Sequence, residues 1–245
     1  MKIMRLQHIT FTGIDAKTDL RELQDIQREF PIAEFGVLTS YHWYENGNRY
    51  PELRTLIPAL RYNGLNIALH LCDSAANDAA FGSYDNIHFM TYGMLPYFNR
   101  IQLNIANRTD NPRKVYPSYY QQEVIVQQHD ADHTELFEAT LKKWEPSKGT
   151  VSVLLDASGG QGIDTPIKVL PNAGKPFKVG YAGGINPDNV ADKLAYLLQH
   201  DEVGDFWIDM ESGVRTDDWF DTDKVRRVLR ICKEVIRDLG KEENA

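Results

Sequence analysis

Phe177–Gln199 reads FKVGYAGGINPDNVADKLAYLLQ, and this stretch holds one complete unit of a fold. A short apolar run ends at two consecutive glycines. Asn186 then has the side chain of a helix N-cap, and Pro187 suits a first helical turn because its missing N–H is not needed there. The residues that follow carry a helical period. A strand running through a glycine turn into a helix is the repeating element of a parallel sheet with crossover connections.

The same alternation extends in both directions. Strand patterns recur at LQHITFT, AEFGVLT, LNIALHL, RIQLNI, EVIVQQ, VSVLL, FKVGYA and DFWIDM. Helical patterns lie between them at TDLRELQDIQREF, PELRTLIPALRYNG, DHTELFEATLKKW and NPDNVADKLAYLLQ. The chain closes on DTDKVRRVLRICKEVIRDLG, where Val225, Val228, Leu229, Cys232, Val235 and Ile236 fall on one face. Eight strands in strict alternation with helices over 245 residues predict a single (β/α)8 barrel spanning 1–245. An open doubly wound sheet is the competitor, but no G-x-G-x-x-G follows the first strand. The long middle region 73–122 includes Asn107–Gln122, a polar, proline-containing stretch where the fourth helix is expected, short or distorted.

Composition narrows the function classes. The net charge of −8 gives sequence-independent nucleic-acid binding little support. Cys72 and Cys232 form neither a metal-type nor a disulfide-type spacing. Met1–Thr10 lacks the apolar core of a signal peptide, and no segment approaches a membrane span. These features predict a soluble cytoplasmic protein whose partner is a small metabolite, without nucleic acid, membrane or cofactor.

In a parallel barrel one face of each strand packs on helices and the other fills the interior. The apolar set Leu65, Ile67, Leu69 and Leu71 predicts that Asn66, Ala68, His70 and Cys72 point inward. The same parity turns Gln102, Asn104, Ser152, Leu154, Asp156, Trp207 and Asp209 inward. The interior thus becomes polar toward the C-terminal strand ends, where barrel enzymes place their chemistry. Asp156 sits at that mouth before the glycines of DASGGQG, as a catalytic acid or as an anchor for the loop. Gly183 and Gly184, with a second small-residue turn at Ser212 and Gly213, predict a phosphate site built from backbone N–H groups after the last two strands.

Taken together, VLLDASGGQG, YAGGINPDNV and WIDMESGV resemble phosphoribosylanthranilate isomerase. The likeness is dense from Val151 to Val235 and thinner before it. It implies that Asp156 is the general acid, that Arg49 in GNRYP meets an anthranilate carboxylate, and that Asp209 belongs to the substrate site. RIQLN resembles the family's fourth-strand pattern. Three positions depart from it: Thr12 stands in place of the catalytic first-strand cysteine, Asn104 replaces a histidine, and Arg215 replaces a glutamate.

A threonine hydroxyl is too weak an acid to be an unaided base near neutrality, so the base is expected elsewhere. Cys72 and His70 are inward candidates, and Asp15 lies just beyond the first strand. His129 and His133 with Asp130 and Asp132 superficially suggest a metal, but the two aspartates read as caps of the following helix. Trp43 and Tyr44 suit either stacking on a ligand ring or covering the barrel. The expected activity is an aldose–ketose isomerisation of a phosphorylated sugar derivative. The alternatives are another phosphosugar reaction, by a lyase or epimerase, and an inactive phosphosugar-binding or regulatory barrel.

Overall fold

The computed structural model describes residues 5–41, 48–105, 114–118, 120–129, 131–132, 134–145, 147 and 149–242, with 61–63 as backbone alone. The elements are β1 (Leu6–Thr12), α1 (Leu20–Glu29), β2 (Ala33–Thr39), α2 (Leu53–Asn63), β3 (Ile67–Cys72), α3 (Asp73–Ala80), α4 (Asp85–Met90) and β4 (Arg100–Asn104). They continue with β5 (Glu123–Gln128), α5 (Glu135–Leu141), β6 (Val151–Asp156), β7 (Val179–Ala182), α6 (Val190–Gln199) and β8 (Phe206–Met210). A two-stranded ribbon, β9 (Arg215–Thr216) and β10 (Trp219–Phe220), precedes α7 (Thr222–Glu242). Strands β1 to β8 pair in sequence order, all parallel, and β1 also pairs with β8 to close the barrel.

Closure sorts the side chains by parity. Phe11, Phe35, Leu69, Leu103, Val126, Val153, Tyr181 and Ile208 join one large core between sheet and helices. Ile125, Leu154 and Trp207 form a separate small cluster, with Ala182 packed against it. Helix α1 is fixed at its start by the Asp19 carboxylate, which accepts from Arg21 N at 2.8 Å, and it buries Leu23 and Ile26. The expected face of α7 is also observed: Val225, Val228, Leu229 and Cys232 are buried, and Val235 and Ile236 are partly so.

Strict alternation fails at two connections. Residues 157–178, between β6 and β7, contain no helix. Glycines 159, 160, 162 and 174 there adopt positive φ, and Pro166, Pro171 and Pro176 interrupt any ladder of backbone donors. Between β4 and β5 the described residues hold no helix; 106–113 and 119, and with them much of the expected fourth helix, lie outside those described. The middle region supplies helices of its own instead. The alanine-rich α3 begins directly after Cys72 and packs on β3 and β4. Asn186 caps a turn rather than α6 itself: its Oδ1 accepts from Asp188 N at 2.8 Å, and α6 starts at Val190.

A charged pair occupies the barrel interior. Glu34 of β2 and Arg100 of β4 are 0% and 2% exposed. Arg100 Nε donates to Glu34 Oε2 at 2.9 Å and Nη2 to Oε1 at 2.5 Å, while Thr10 Oγ donates to the same carboxylate at 3.0 Å. The guanidinium also lies 4.5 Å over the Trp207 ring. Burial alone would raise the Glu34 carboxyl, but the charge and hydrogen bonds of Arg100 hold it below the ordinary carboxylate range. Removing one member leaves the other charge unpaired away from water, which costs about 3–5 kcal/mol. Arg100→Met should therefore lower the urea-unfolding free energy by about that amount. A loss under about 1 kcal/mol would show that the pair does not hold the interior together.

Candidate active site

The C-terminal ends of the strands surround a cavity of about 80 Å³. Its walls include Thr12 of β1, His70 of β3, Gln102 and Asn104 of β4, Gln127 of β5, Asp156 of β6 and Asp209 of β8. Four buried polar atoms on this lining have no hydrogen-bond partner among the described residues: His70 Nε2, Gln102 Oε1, Gln127 Oε1 and Asp209 Oδ2. Buried polar groups left unmatched by protein are costly unless something else satisfies them, so the lining fits a polar ligand.

Asp156 does two things at this mouth. Its Oδ1 accepts from Ser158 Oγ at 2.7 Å and Ser158 N at 3.2 Å; its Oδ2 accepts from Gly160 N at 2.7 Å and Gln127 Nε2 at 3.0 Å. The carboxylate thus anchors the glycine loop while lining the cavity. The loop in turn lies over the small-residue turns. A Cβ on Gly162 would stand 1.9 Å from Ser212 Oγ, and one on Gly184 would stand 2.3 Å from Asp164 N. Lys193 of α6 fastens the far end, donating to Thr165 O at 2.6 Å and pairing with Asp164 at 2.8 Å.

Gly183 and Gly184 hold φ of 107° and 62°, which favours glycine, and with Ser212 they line the cavity. Gly213 stands behind them, where an added Cβ would lie 2.0 Å from Ile185 O. Its role is to let the turns after β7 and β8 pack back to back. Arg49 reaches the same cavity, but Nη1 donates to Glu211 at 2.7 Å and Nε to Asp218 at 2.9 Å. Its cation is already shared by two carboxylates.

The base candidates separate clearly. Burial pushes the Cys72 thiol up to about 12, and its sulfur accepts from Asn104 Nδ2 at 3.6 Å. Burial also pushes His70 down to about 3, leaving a neutral and weakly basic ring. Asp15 faces away from the cavity's chemistry. Its Oδ2 accepts from Phe220 N at 2.6 Å and pairs with Arg215, and its Oδ1 accepts from Lys17 N and Thr18 Oγ. Arg215 completes this strut by donating to Gly13 O at 2.7 Å. Thr12 Oγ donates to Asp209 Oδ1 at 2.8 Å, and burial raises the Asp209 carboxyl to about 7.

Gln127, Ser158 and Glu211 also line the cavity, and no motif singles them out. The inward parity of β5 was the available signal for Gln127. Of the other candidates, Trp43, Tyr44, Asp130 and His133 lie outside the described residues; Asp132 pairs with Lys168, away from the cavity. No cluster of three or more metal-ligating side chains occurs among the described residues. No described helix is long and apolar enough to cross a membrane.

The packing of Gly162 on Ser212 should hold the loop down. Gly162→Ala should speed amide hydrogen exchange across 157–165 more than Gly160→Ala does, because both positions hold a positive φ that strains alanine but only the Cβ at 162 meets Ser212. Equal effects from the two substitutions would rule out that contact as the fastening.

Comparison with known proteins adds to this geometry. Residues 112–230 match the model of the N-(5′-phosphoribosyl)anthranilate isomerase family. No curated protein sequence matches. Among solved structures, the phosphoribosylanthranilate isomerase of Pyrococcus furiosus is 16% identical with a TM-score of 0.52, covering 93% of this chain and 99% of its own. A phosphoribosylanthranilate isomerase in complex with reduced 1-(o-carboxyphenylamino)-1-deoxyribulose 5-phosphate is also 16% identical, with a TM-score of 0.52 and coverage of 94% and 100%. A phospho-2-dehydro-3-deoxyheptonate aldolase from Thermotoga maritima, 12% identical, reaches 0.55 over 97% of this chain and 70% of its own. At such identities these likenesses speak for the barrel alone, and the likeness to the family rests on the sequence match, which takes in Asp156, the glycine loop and both small-residue turns. Over residues 112–230, just under half of its length and on a closed (β/α)8 barrel, the chain is similar to the phosphoribosylanthranilate isomerase family.

Proposed function

We propose that this barrel binds a phosphorylated sugar derivative and isomerises it from aldose to ketose, with Asp156 as general acid. One observation carries the reading: Asp156, the turns at Gly183–Gly184 and Ser212, and an unmatched set of buried polar atoms all line a single cavity. The phosphate lies against the two turns. Backbone N–H groups there bind an anion without a positive side chain, which suits a chain of net charge −8. The sugar extends from that point toward Asp156, which protonates the ribose ring oxygen so that the ring opens.

The loop must move for this to happen. A cavity of about 80 Å³ is small beside ligand pockets of roughly 300–1,000 Å³. Both Asp156 oxygens are also occupied by donors, two from Ser158, one from Gly160 and one from Gln127. A carboxyl needs a free lone-pair position to carry a proton. Withdrawal of the loop admits the ligand and frees such a position in one motion.

Arg49 gives a specific reason to keep a second reaction in view. In the isomerase reading it meets the anthranilate carboxylate, which has to displace Glu211 or Asp218 from the guanidinium. A phosphosugar without that carboxylate leaves the two pairs intact. The same cradle and acid would then serve an epimerase or lyase.

Two variants test the reading with phosphoribosylanthranilate as substrate and the reduced deoxyribulose phosphate analogue as ligand. Asp156→Asn should cut turnover by about 10²–10⁴ and leave analogue affinity within several-fold. Ser212→Asp, which sets a carboxylate in the cradle, should weaken the analogue by at least about tenfold. Undiminished turnover in the first would reduce Asp156 to a loop anchor, and undiminished affinity in the second would misplace the phosphate.

A further inference from the structure

Isomerisation needs a group to take the proton from C2′, and the family's first-strand cysteine is Thr12 here. Thr12 does not face the cavity alone. Its hydroxyl is committed as a donor to Asp209 Oδ1 at 2.8 Å. The other oxygen of that carboxyl, Oδ2, is buried, has no partner among the described residues, and belongs to a side chain lining the cavity. The carboxyl is therefore gripped on one oxygen and left without a protein partner on the other among the described residues, the arrangement of an oriented base.

We propose that Asp209 is the catalytic base of this barrel and that Thr12 is its positioning residue. The inference rests on the isomerase reading above. Once the ring is open, C1′ is joined to nitrogen by a double bond. Asp209 Oδ2 takes the proton from C2′; the C–H pair becomes the C1′–C2′ double bond, and the C1′–N π pair moves onto nitrogen. The resulting enolamine takes a proton at C1′ from the now protonated Asp209 and gives its O2′ hydroxyl proton to solvent, yielding the ketose, restoring the carboxylate and involving no net oxidation.

The surroundings suit the role. Arg100 of β4 favours the charged form of Asp209, while Glu34 of β2 and Glu211 oppose it. His70, Asp156 and Arg49 complete the ionisable lining of the cavity. Burial dominates and lifts the carboxyl to about 7, where a base both is deprotonated near neutrality and holds its proton well. The acid on β6 and the base on β8 then flank β7, whose glycines hold the phosphate end.

The sign for stability follows. A carboxyl raised from 3.8 to about 7 keeps its proton in the folded state, so folding loses stability as pH climbs through that interval. Asp209→Asn removes this loss, because an amide has no charge to bury. Three measurements make the test. With phosphoribosylanthranilate, Asp209→Asn should lower kcat by about 10²–10⁴ with analogue affinity within several-fold, and should abolish the rise in activity through pH 7. Thr12→Val should shift that rise to higher pH and Thr12→Ser should restore it, which a purely structural threonine would not do. The melting temperature of Asp209→Asn should exceed wild type at pH 8 by about 4 °C or more, with the gap closing at pH 5.

Turnover retained in Asp209→Asn, while Asp156→Asn is dead, overturns the base and spares the isomerase reading. A wild type that binds the analogue and never turns over phosphoribosylanthranilate overturns that reading, and the base proposed for it falls as well. The melting gap then reports on the carboxyl itself: a gap equal at both pH values shows an ordinary Asp209 and contradicts its poise.

Discussion

Closing eight parallel strands on themselves sends every second side chain of each strand into one shared interior, and the rest of this structure answers to that constraint. The outward parity is mostly apolar, from Phe11 on β1 to Ile208 on β8. The inward parity is mixed, and its order along the strands matters. Glu34 and Arg100 satisfy one another, with Thr10 as third partner, so charge is balanced in the interior by protein alone. Toward the C-terminal ends His70, Gln102, Gln127 and Asp209 each keep an atom unmatched among the described residues. Arg100 Nη1 and Trp207 Nε1 are also unmatched among the described residues, so what distinguishes the C-terminal end is that its unmatched atoms belong to side chains lining one cavity.

The glycines work against that background. Gly183 and Gly184 bring backbone to the cavity wall in a left-handed conformation, and Gly162 lets the β6 loop lie on Ser212. Asp156 links the two systems, since it ends β6 and holds the glycine loop through Ser158 and Gly160. Arg215 and Asp15 brace the opposite side, joining the segment after β8 to the segment after β1. This brace explains the arginine that stands where the family pattern carries glutamate: its guanidinium is spent on Gly13 O and Asp15, within the scaffold.

Much of this was legible in the sequence because parity and period are local. LQHITFT, AEFGVLT and EVIVQQ coincide with β1, β2 and β5 to the residue. The placing of Asp156, His70, Gln102 and Asp209 on one lining follows from alternation alone. What stayed hidden depends on pairing across long separations. Arg49 meets Glu211 and Asp218 more than 160 residues away, and no pattern near GNRYP announces it. The coupling of Thr12 to Asp209 is equally remote, and it changes how the missing cysteine is understood: the position is a hydroxyl holding a carboxyl, not an empty place. The absent helix between β6 and β7 was readable in principle, since three prolines and four glycines leave no helical period in 157–178, but eightfold regularity argued the other way.

The central claim is geometric: one ligand spans the cradle after β7 and β8, the acid on β6 and the base on β8. A crystal structure of the protein with reduced 1-(o-carboxyphenylamino)-1-deoxyribulose 5-phosphate tests it most directly. The account predicts the phosphate against Gly183, Gly184 and Ser212, and the sugar C2′ within about 3–3.5 Å of Asp209 Oδ2. A phosphate seated elsewhere, or a C2′ out of reach of Asp209 with the phosphate in its cradle, would contradict it.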